Sequence, residues 1–578
     1  MNAKTPQFNK AIGAVLKTLA PHKRVCKNCA GEFDIFQEDI EFYNKLQVPP
    51  PTLCPSCRLQ RRQGWRLNFL PIFYKKTCSA PGHNEKVITY YSEDNPVKVY
   101  DDNYYLSDNW DGLNFGVNYD SHKSFFQQFN ELSLTVPHQS LQKDPKNVNS
   151  DYVIAGIQAK DCYYVTVPYL SENVYYSYLP AFSKDSIDVS ETKNSEKCYE
   201  CVSVENCYNC KFCHESSDCL DSYFLYDCRN CSYCFGCTNL RNKQYCFFNE
   251  QLSKEEYERR IKDIHLGKRS VLKEYVSLFG KMLSGAIRKN VSNIKTENCF
   301  GDNIRKSKNC FYSFLIIGDS ENLRYCCSGD NNKDSMDVYG FASSSIIYES
   351  SGVVSANNIK FSLAVRIGIE LEYSFECNNC QYCFGCFGLK NKKYCIFNKQ
   401  YDEDTYWKTV DEIKTRMLEG GDYGEFFPLA NSMFPYQDSN AQVELPLEKE
   451  EIVKRKWRWE DKKERDIDLS KLTTLKAHEV PDDIADVSDE ILKVAVICEE
   501  TGKPFRITPF ELEFYRKMNL PVPIVHPLQR MKKRLEYRRP FKLWQYPCKN
   551  CGDMVYTAYD PTKNLRVYCE KCYLAEIV

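Results

Sequence analysis

Between residues 150 and 400 the pattern of apolar and polar positions fits neither a helix nor a simple strand. Short phrases of Asn or Asp, then Cys, then an apolar residue recur: Asp161-Cys162-Tyr163, Asn206-Cys207-Tyr208, Asp218-Cys219-Leu220, Asn298-Cys299-Phe300 and Asn309-Cys310-Phe311. They sit about 9–13 residues apart. A longer return is also visible, with Cys198, Cys207, Cys210 and Cys213 answered by Cys219, Cys228, Cys231 and Cys234. A coil of roughly twenty residues is the size of a rung in a parallel β-solenoid, where equivalent residues stack at ~4.8 Å and inward positions form ladders. Cys is small and readily buried, so it fills a narrow interior, while Asn, Asp, Ser and Gly suit the corners. A spacing of three does not match strand alternation, so a bend must intervene.

The region is duplicated. Cys228, Cys231, Cys234 and Cys237 recur as Cys377, Cys380, Cys383 and Cys386. Each run leads to a Tyr-Cys-x-Phe-Asn phrase, ending at Asn249 or Asn398. A helical pattern follows each: Ser253-Lys254-Glu255-Glu256 reads as a capping box, and Asp402 opens a helix through Trp407, Val410 and Ile413. These helices are expected to cover the open end of each stack. The expected fold is mainly β, with zinc-ribbon modules at both ends flanking a cysteine-laddered parallel β-solenoid with capping helices. Its parts are an N-terminal double ribbon (1–120), solenoid blocks at 150–249 and 298–398, capping and connecting helices at 250–297, a capping helix and charged connector at 399–490, and a C-terminal double ribbon (491–578). Within the connector, Phe426-Phe427-Pro428 and Met433-Phe434-Pro435-Tyr436 read as an apron against the solenoid, and Lys449 to Arg465 as a charged helix carrying Trp457 and Trp459.

The chain has 31 cysteines and 8 histidines. Cys26, Cys29, Cys54 and Cys57 form two CxxC turns, and so do Cys548, Cys551, Cys569 and Cys572. Two such turns supply a closed tetrahedral set of four thiolates, the geometry of a structural zinc ion, so two ions are expected. Between the latter turns, Met554-Val555-Tyr556 and Leu565-Arg566-Val567-Tyr568 read as a hairpin around Asp560-Pro561-Thr562. Shifted by 472 residues, the first region aligns with the last without gaps: Cys26 on Cys498, Tyr43 on Tyr515, and Arg58, Arg62 and Arg66 on Arg530, Arg534 and Arg538. In that second copy Cys29, Cys54 and Cys57 have become Thr501, His526 and Gln529, so a retained fold without metal is expected. The second ribbon of the first copy keeps only Cys78. His83 and Asp101 lie near it in sequence, but the expectation there is an isolated thiol.

Basic residues follow the first ribbon in both copies: Arg58, Arg61, Arg62 and Arg66, then Arg530, Lys532, Lys533, Arg534, Arg538 and Arg539. On a rigid zinc knuckle they suggest a phosphate-binding row, so nucleic acid is one expected partner and a protein the other. The chain as a whole, with 77 Lys and Arg against 78 Asp and Glu, is not a basic nucleic-acid coat. Residues 151–250 carry 14 acids against 8 bases and should not hold nucleic acid themselves.

The Cys54-Pro55-Ser56-Cys57-Arg58, Tyr245-Cys246-Phe247-Phe248-Asn249, Tyr394-Cys395-Ile396-Phe397-Asn398, Glu513-Phe514-Tyr515-Arg516-Lys517-Met518 and Val567-Tyr568-Cys569-Glu570-Lys571-Cys572-Tyr573 phrases resemble a family of cysteine-rich zinc-ribbon proteins from small-genome bacteria of the candidate phyla radiation. The likeness covers most of the chain. It implies zinc and this architecture, and brings no activity with it. The family pattern keeps a C-terminal CPxC knuckle, which here reads His526-Pro527-Leu528-Gln529.

A non-enzymatic, zinc-stabilised binding scaffold is the resulting expectation. A protein-interaction or structural β-solenoid is the alternative, with a polysaccharide-acting enzyme or a thiol redox or iron–sulfur protein behind it. No apolar run approaches the roughly 18 residues of a membrane span. The stretch Ala11–Leu16 is too short for a secretory signal, so a cytoplasmic protein with reduced thiols is expected.

Overall fold

A computed structural model of the chain describes residues 4–461 and 472–577. The protein is strand-rich, with 29% strand beside 27% helix. Its centre consists of two stacks of coils built by parallel pairing. In the first, Val148 bridges Lys160, Lys160 bridges Glu172, Tyr208 bridges Leu220 and Leu220 bridges Ser232. The strand Lys184–Ser190 lies parallel between Glu172–Tyr175 and Tyr199–Val202. The second stack runs in the same way from Phe300–Ile304 to Lys393–Ile396.

One coil is 12 residues, the separation of stacked partners such as Asn206 and Asp218, except where the second stack begins, at Ile294 to Arg305 and Lys308 to Glu321. The backbone turns at every third residue: Asn206, Asn209, Phe212, Glu215 and Asp218 have φ of 54°, 50°, 55°, 50° and 55°. Four corners and four short sides therefore close each coil. The residue after each corner points inward, and the third pairs with the coils above and below. The Asn-Cys-Tyr phrase is one such side. The expected coil of about twenty residues is corrected by this geometry. Cysteines 21 positions apart are seven sides apart, so both face inward, yet they do not stack. Cys198 stacks on Cys210.

Left-handed backbone costs a non-glycine residue roughly 1–2 kcal/mol. Asn and Asp tolerate it best, and here they also bond along the stack. Asn206 Nδ2 donates to Asp218 Oδ1 at 2.9 Å, Asn322 to Asp334 at 3.0 Å, and Asn379 to Asn391 Oδ1 at 2.7 Å.

The interior explains the cysteines. Ser186, Cys198, Cys210, Ser222, Cys234 and Cys246 form one inward column. Ser186 Oγ donates to the Lys184 carbonyl at 2.8 Å and accepts the Cys198 amide at 3.1 Å. The Cys207 thiol in turn lies 3.4 Å from the Glu205 carbonyl and 3.8 Å from that of Ser216. A short side chain with one polar atom fits the space and satisfies backbone groups that point inward. A thiol does so with less desolvation cost than a hydroxyl.

Both stacks end alike. Glu250–Gln251 and Lys399–Gln400 fold back antiparallel on the last coil. The helix Lys254–Lys262 follows the first, capped by Ser253 Oγ, which accepts the Glu256 amide at 3.2 Å. The helix Glu403–Gly420 follows the second, with Asp402 Oδ1 accepting the Thr405 amide at 2.9 Å. Tyr257 packs on Tyr245 of the last coil at 5.8 Å and Tyr406 on Tyr394 at 5.5 Å.

In the connector the apron reading holds for its first half, where Phe427 stacks on Phe129 at 4.5 Å and meets Tyr373 of the second stack at 6.2 Å, and is corrected for its second, where Phe434 packs on Tyr90 and Tyr91 of the N-terminal module at 5.6 and 5.5 Å. The charged helix is shorter than expected, spanning Lys449–Lys454. Lys456 turns left-handed at φ 58°, and the Trp457 amide closes the end on the Ile452 carbonyl at 3.1 Å. Trp457 leaves the helix and stacks on Tyr436 at 5.3 Å. The part of the expected helix from residue 462 to 465 lies outside the described residues.

This interior yields the first prediction. Cys210→Ser should lower stability by less than about 1.5 kcal/mol, because Ser already occupies its column. Cys210→Leu should cost about 1–3 kcal/mol by overpacking. Denaturant unfolding of both variants checks the order, and equal losses would contradict the account.

Candidate metal centres and the arginine clasps

Four knuckles share one wiring. The Cys26 amide donates to the Gly31 carbonyl at 2.9 Å, that of Cys498 to Lys503 at 3.0 Å, that of Cys548 to Asp553 at 2.8 Å, and that of Cys78 to Glu85 at 2.9 Å. In each, the cysteine sulfur accepts an amide from the second limb of the ribbon. The donors are Cys54 to Cys26 and His526 to Cys498, both at 3.2 Å, Cys569 to Cys548 at 3.2 Å, and Asp101 to Cys78 at 3.4 Å. The double ribbon at each end is therefore present in the backbone, whether or not the thiols survive.

Two knuckles carry a full ligand set. The sulfurs of Cys26, Cys29, Cys54 and Cys57 lie within 4.8 Å of one another, as do those of Cys548, Cys551, Cys569 and Cys572. Cys29 and Cys54 are 3.8 Å apart, and Cys551 and Cys569 are 3.9 Å apart. In both sets the first and last cysteines are buried and the second is exposed. Hydrogen bonds from Cys57 outweigh burial and pull the Cys54 thiol down to about 5. At Cys548 burial pushes upward, but amide donation from Cys551 and Cys569 brings it to about 6. The bond to Cys54 pushes Cys57 up, and burial with bonds to fellow thiols pushes Cys551 up against the Asp553 amide, so in each set a proton is shared between thiols that a bound metal would displace. Either set could hold one metal ion.

The degenerate copy around Cys498 offers no such set. His526 Nδ1 accepts the Leu528 amide at 3.2 Å and so caps the helix Pro527–Glu536 instead. Around the C-terminal set, the expected hairpin is not formed. Met554–Thr557 pairs with Trp544–Pro547, and Arg566–Tyr568 adds in parallel to Ile287–Lys289. The ribbon is thereby stitched to the segment between the stacks. Among the described residues no coil-interior cysteines gather three potential ligand atoms within this range.

The arginines expected to face phosphate are elsewhere. Arg58 Nε donates to Asp337 Oδ2 at 2.9 Å and Nη1 to the Leu53 carbonyl at 2.7 Å. Arg62 reaches Glu349 Oε2 at 3.0 Å and Asp337 Oδ1 at 3.3 Å. The C-terminal copy repeats this on the other stack. Arg530 Nε donates to Asp188 Oδ2 and Nη1 to the Val525 carbonyl, both at 2.9 Å. Arg534 reaches Asp188 Oδ1 at 2.9 Å and Glu200 Oε1 at 3.1 Å. Arg58, Arg62 and Arg534 are at most 1% exposed and Arg530 6%, so none of the four can meet a macromolecular phosphate in this fold.

The acids sit at left-handed corners one coil apart, Asp188 above Glu200 and Asp337 above Glu349. The two stacks are related by a shift of 149 residues, which also carries Tyr176 to Tyr325. Arg530 lies over the Tyr176 ring at 5.3 Å and Arg58 over Tyr325 at 5.2 Å. The Tyr176 hydroxyl donates to Glu511 and that of Tyr325 to Asp39, the matching positions in the two modules. The modules are crossed: the N-terminal one clasps the second stack and the C-terminal one the first. Burial opposes the charge on Arg58 and Arg530, but Asp337 and Asp188 override it and hold both pKa values well above the ordinary value.

The remaining basic residues divide. Arg61 pairs with Glu349 at 3.4 Å and Glu425 at 2.5 Å. Arg66 lies over Gly352, where any Cβ would come within 2.7 Å of its Nη1 and φ is 68°. Arg538 pairs with Glu191 at 2.9 Å and with Glu444. Arg539 pairs with Asp302 at 3.0 Å and Glu215 at 3.2 Å. Lys532 and Lys533 are exposed, Lys533 paired with Glu500. Sequence reasoning found the arginines but not Asp188, Glu200, Asp337 and Glu349. The signal was present, since both acid pairs are 12 apart and 149 residues from each other.

Removing one partner of a buried ion pair strands the other charge, at about 3–5 kcal/mol. Arg534→Ala and Arg62→Ala should each lose that much in denaturant unfolding, and Lys at either position should not restore a bidentate pair. Wild-type stability in Arg534→Ala would refute the clasp. No protein-family model matches the chain and no curated protein matches it, so the geometry carries the functional reading.

Proposed function

We propose that the protein is a non-enzymatic scaffold: two β-solenoid blocks, stapled by two zinc ribbons and presenting their outer columns to a protein partner. The observation that carries this reading is the burial of the module arginines in the stack clasps. Those guanidinium groups hold the molecule together, which disfavours the nucleic-acid reading built on them. The closed four-cysteine sets suit Zn(II), which leaves no position for substrate. Coil-interior thiols bonded to carbonyls suit a packing role better than a redox or iron–sulfur role. No helix among the described residues is long and apolar enough to cross a membrane.

The partner surface we favour lies on the first stack, whose excess of acid repels nucleic acid. Tyr169, Leu170 and Phe182 are 41%, 39% and 45% exposed, and the rings of Tyr169 and Phe182 meet edge-on at 5.2 Å. Exposed aromatics grouped on a rigid surface are frequent anchors at protein interfaces.

Fluorescence anisotropy with single-stranded RNA and DNA at low and high salt tests the choice. The expected outcome is no salt-sensitive binding. Affinity capture should return a defined protein from wild type and lose it with Tyr169→Ala/Phe182→Ala. Tight binding that weakens steeply with salt would overturn the reading in favour of nucleic acid. Reversing Arg58, Arg62, Arg530 and Arg534 to Glu would be uninformative about nucleic acid, because it would break both clasps.

A further inference from the structure

The second ribbon of the N-terminal module has lost three of its four cysteines, yet its remaining thiol is not isolated. Cys78 Sγ, a His83 ring nitrogen and a Glu85 carboxylate oxygen lie within 4.8 Å of one another. The knuckle is wired like the two four-cysteine knuckles, with the Asp101 amide aimed at the sulfur and the Cys78 amide bonded to the Glu85 carbonyl. Its loop differs. The amide–carbonyl bond that closes it runs from residue 78 to 85, whereas in the C-terminal ribbon it runs from 548 to 553. The two added residues turn through Gly82, at φ 81°, and bring His83 and Glu85 back over the thiol.

Asp101, which stands where the C-terminal ribbon has Cys569, is not part of the cluster. Its Oδ1 accepts the Asn103 amide at 2.9 Å and caps the helix Asp102–Leu106. The loop therefore supplies the ligands that the second limb no longer gives.

We propose that Cys78, His83 and Glu85 bind a third divalent transition-metal ion, with solvent completing the coordination. The donor set is one sulfur, one nitrogen and one oxygen, a mixture that Zn(II) and Co(II) accept. Cys78 is buried at 2% exposure, while the His83 and Glu85 side chains are 34% and 52% exposed. The sulfur is thus fixed in the ribbon and the other two side chains face water. His83 Nδ1 and Glu85 Oε1 are 2.7 Å apart as a direct hydrogen bond. Ligand atoms on a tetrahedral ion lie about 3.3–3.8 Å apart, so metal would part them slightly and take the place of that bond. The Tyr104 ring meets His83 edge-on at 5.0 Å and holds the imidazole over the loop. Three protein ligands and an open position distinguish this site from the two closed ones. Its ion should exchange first.

The test is metal content by elemental mass spectrometry after anaerobic reconstitution with Zn(II) or Co(II), in wild type, Cys78→Ser and His83→Ala. Three ions per chain are expected in wild type and two in each variant. His83 is exposed, so His83→Ala should keep the wild-type unfolding midpoint in the metal-free state. In the Co(II) form, the difference spectrum between wild type and His83→Ala should show weak sulfur-to-cobalt charge transfer, as one thiolate gives. Two ions in wild type, or three in His83→Ala, would overturn the proposal. Failure of the two-zinc reading is separately visible, because Cys29→Ser and Cys551→Ser would then leave the count unchanged.

Discussion

A backbone that turns at every third residue encloses a narrow space that takes four inward side chains per coil. Most of the molecule follows from that limit. Cys, Ser, Val and Ala fill most interior positions of the first stack, Ile, Leu and Phe341 join them in the second, and the polar ones bond to backbone groups that face inward. Corner positions must accept left-handed backbone, which selects Asn and Asp and gives them partners one coil away. Most aromatic side chains stand outside, in columns. The Tyr-Asp-Glu-Phe succession along one corner column of each stack is such a column, and it is the surface on which a ribbon module lies.

The modules meet this column through charges that are costly to bury. Replacing a buried ion pair by hydrocarbon often stabilises a protein, so stability alone does not account for the clasps. A registry role does. The acids stand at two successive corners of one column, and arginines one helical turn apart, at Arg58 and Arg62 or Arg530 and Arg534, match that spacing. A module displaced by one coil would bury a guanidinium group against Tyr or Phe. The metal knuckle sits at the start of the same helix, with Cys54-Pro55-Ser56-Cys57 leading directly into Arg58, so an ion held by these cysteines would fix the helix that carries the clasp. At the other end Cys498 and His526 keep the backbone geometry without that ligand set, and the clasp persists.

What could be read from the sequence was what is local. Ligand spacing in the CxxC turns is written within a few residues, so both four-cysteine sets were legible. The capping residues Ser253 and Asp402 were legible for the same reason. The triplet was visible in the Asn-Cys-Tyr phrases, but the coil length was not, because a repeat of seven sides keeps cysteines facing inward as faithfully as a repeat of four. The arginines were visible as a duplicated row, but not their destination. Arg58 and Asp337 are 279 residues apart, and Arg62 and Glu349 287. At that separation only the second duplication links them, and the two duplications had to be superimposed for the clasp to appear. At the Cys78 loop His83 was legible as a neighbour of the thiol, but Glu85 was not, because it stands where the sister ribbon has no cysteine.

The crossed arrangement has a consequence for the order of events on the ribosome. The N-terminal module emerges first, but its carboxylate partners lie nearly three hundred residues downstream. The first stack emerges next, and the module that clasps it follows both stacks. Neither half can complete its clasp until much of the other has been synthesised. The N-terminal ribbon must therefore wait as a separately folded body while the coils wind, and a metal ion held by its four cysteines would give it a means to do so. Final assembly is a closure between distant segments rather than a steady addition along the chain, and it should be the slow step of folding.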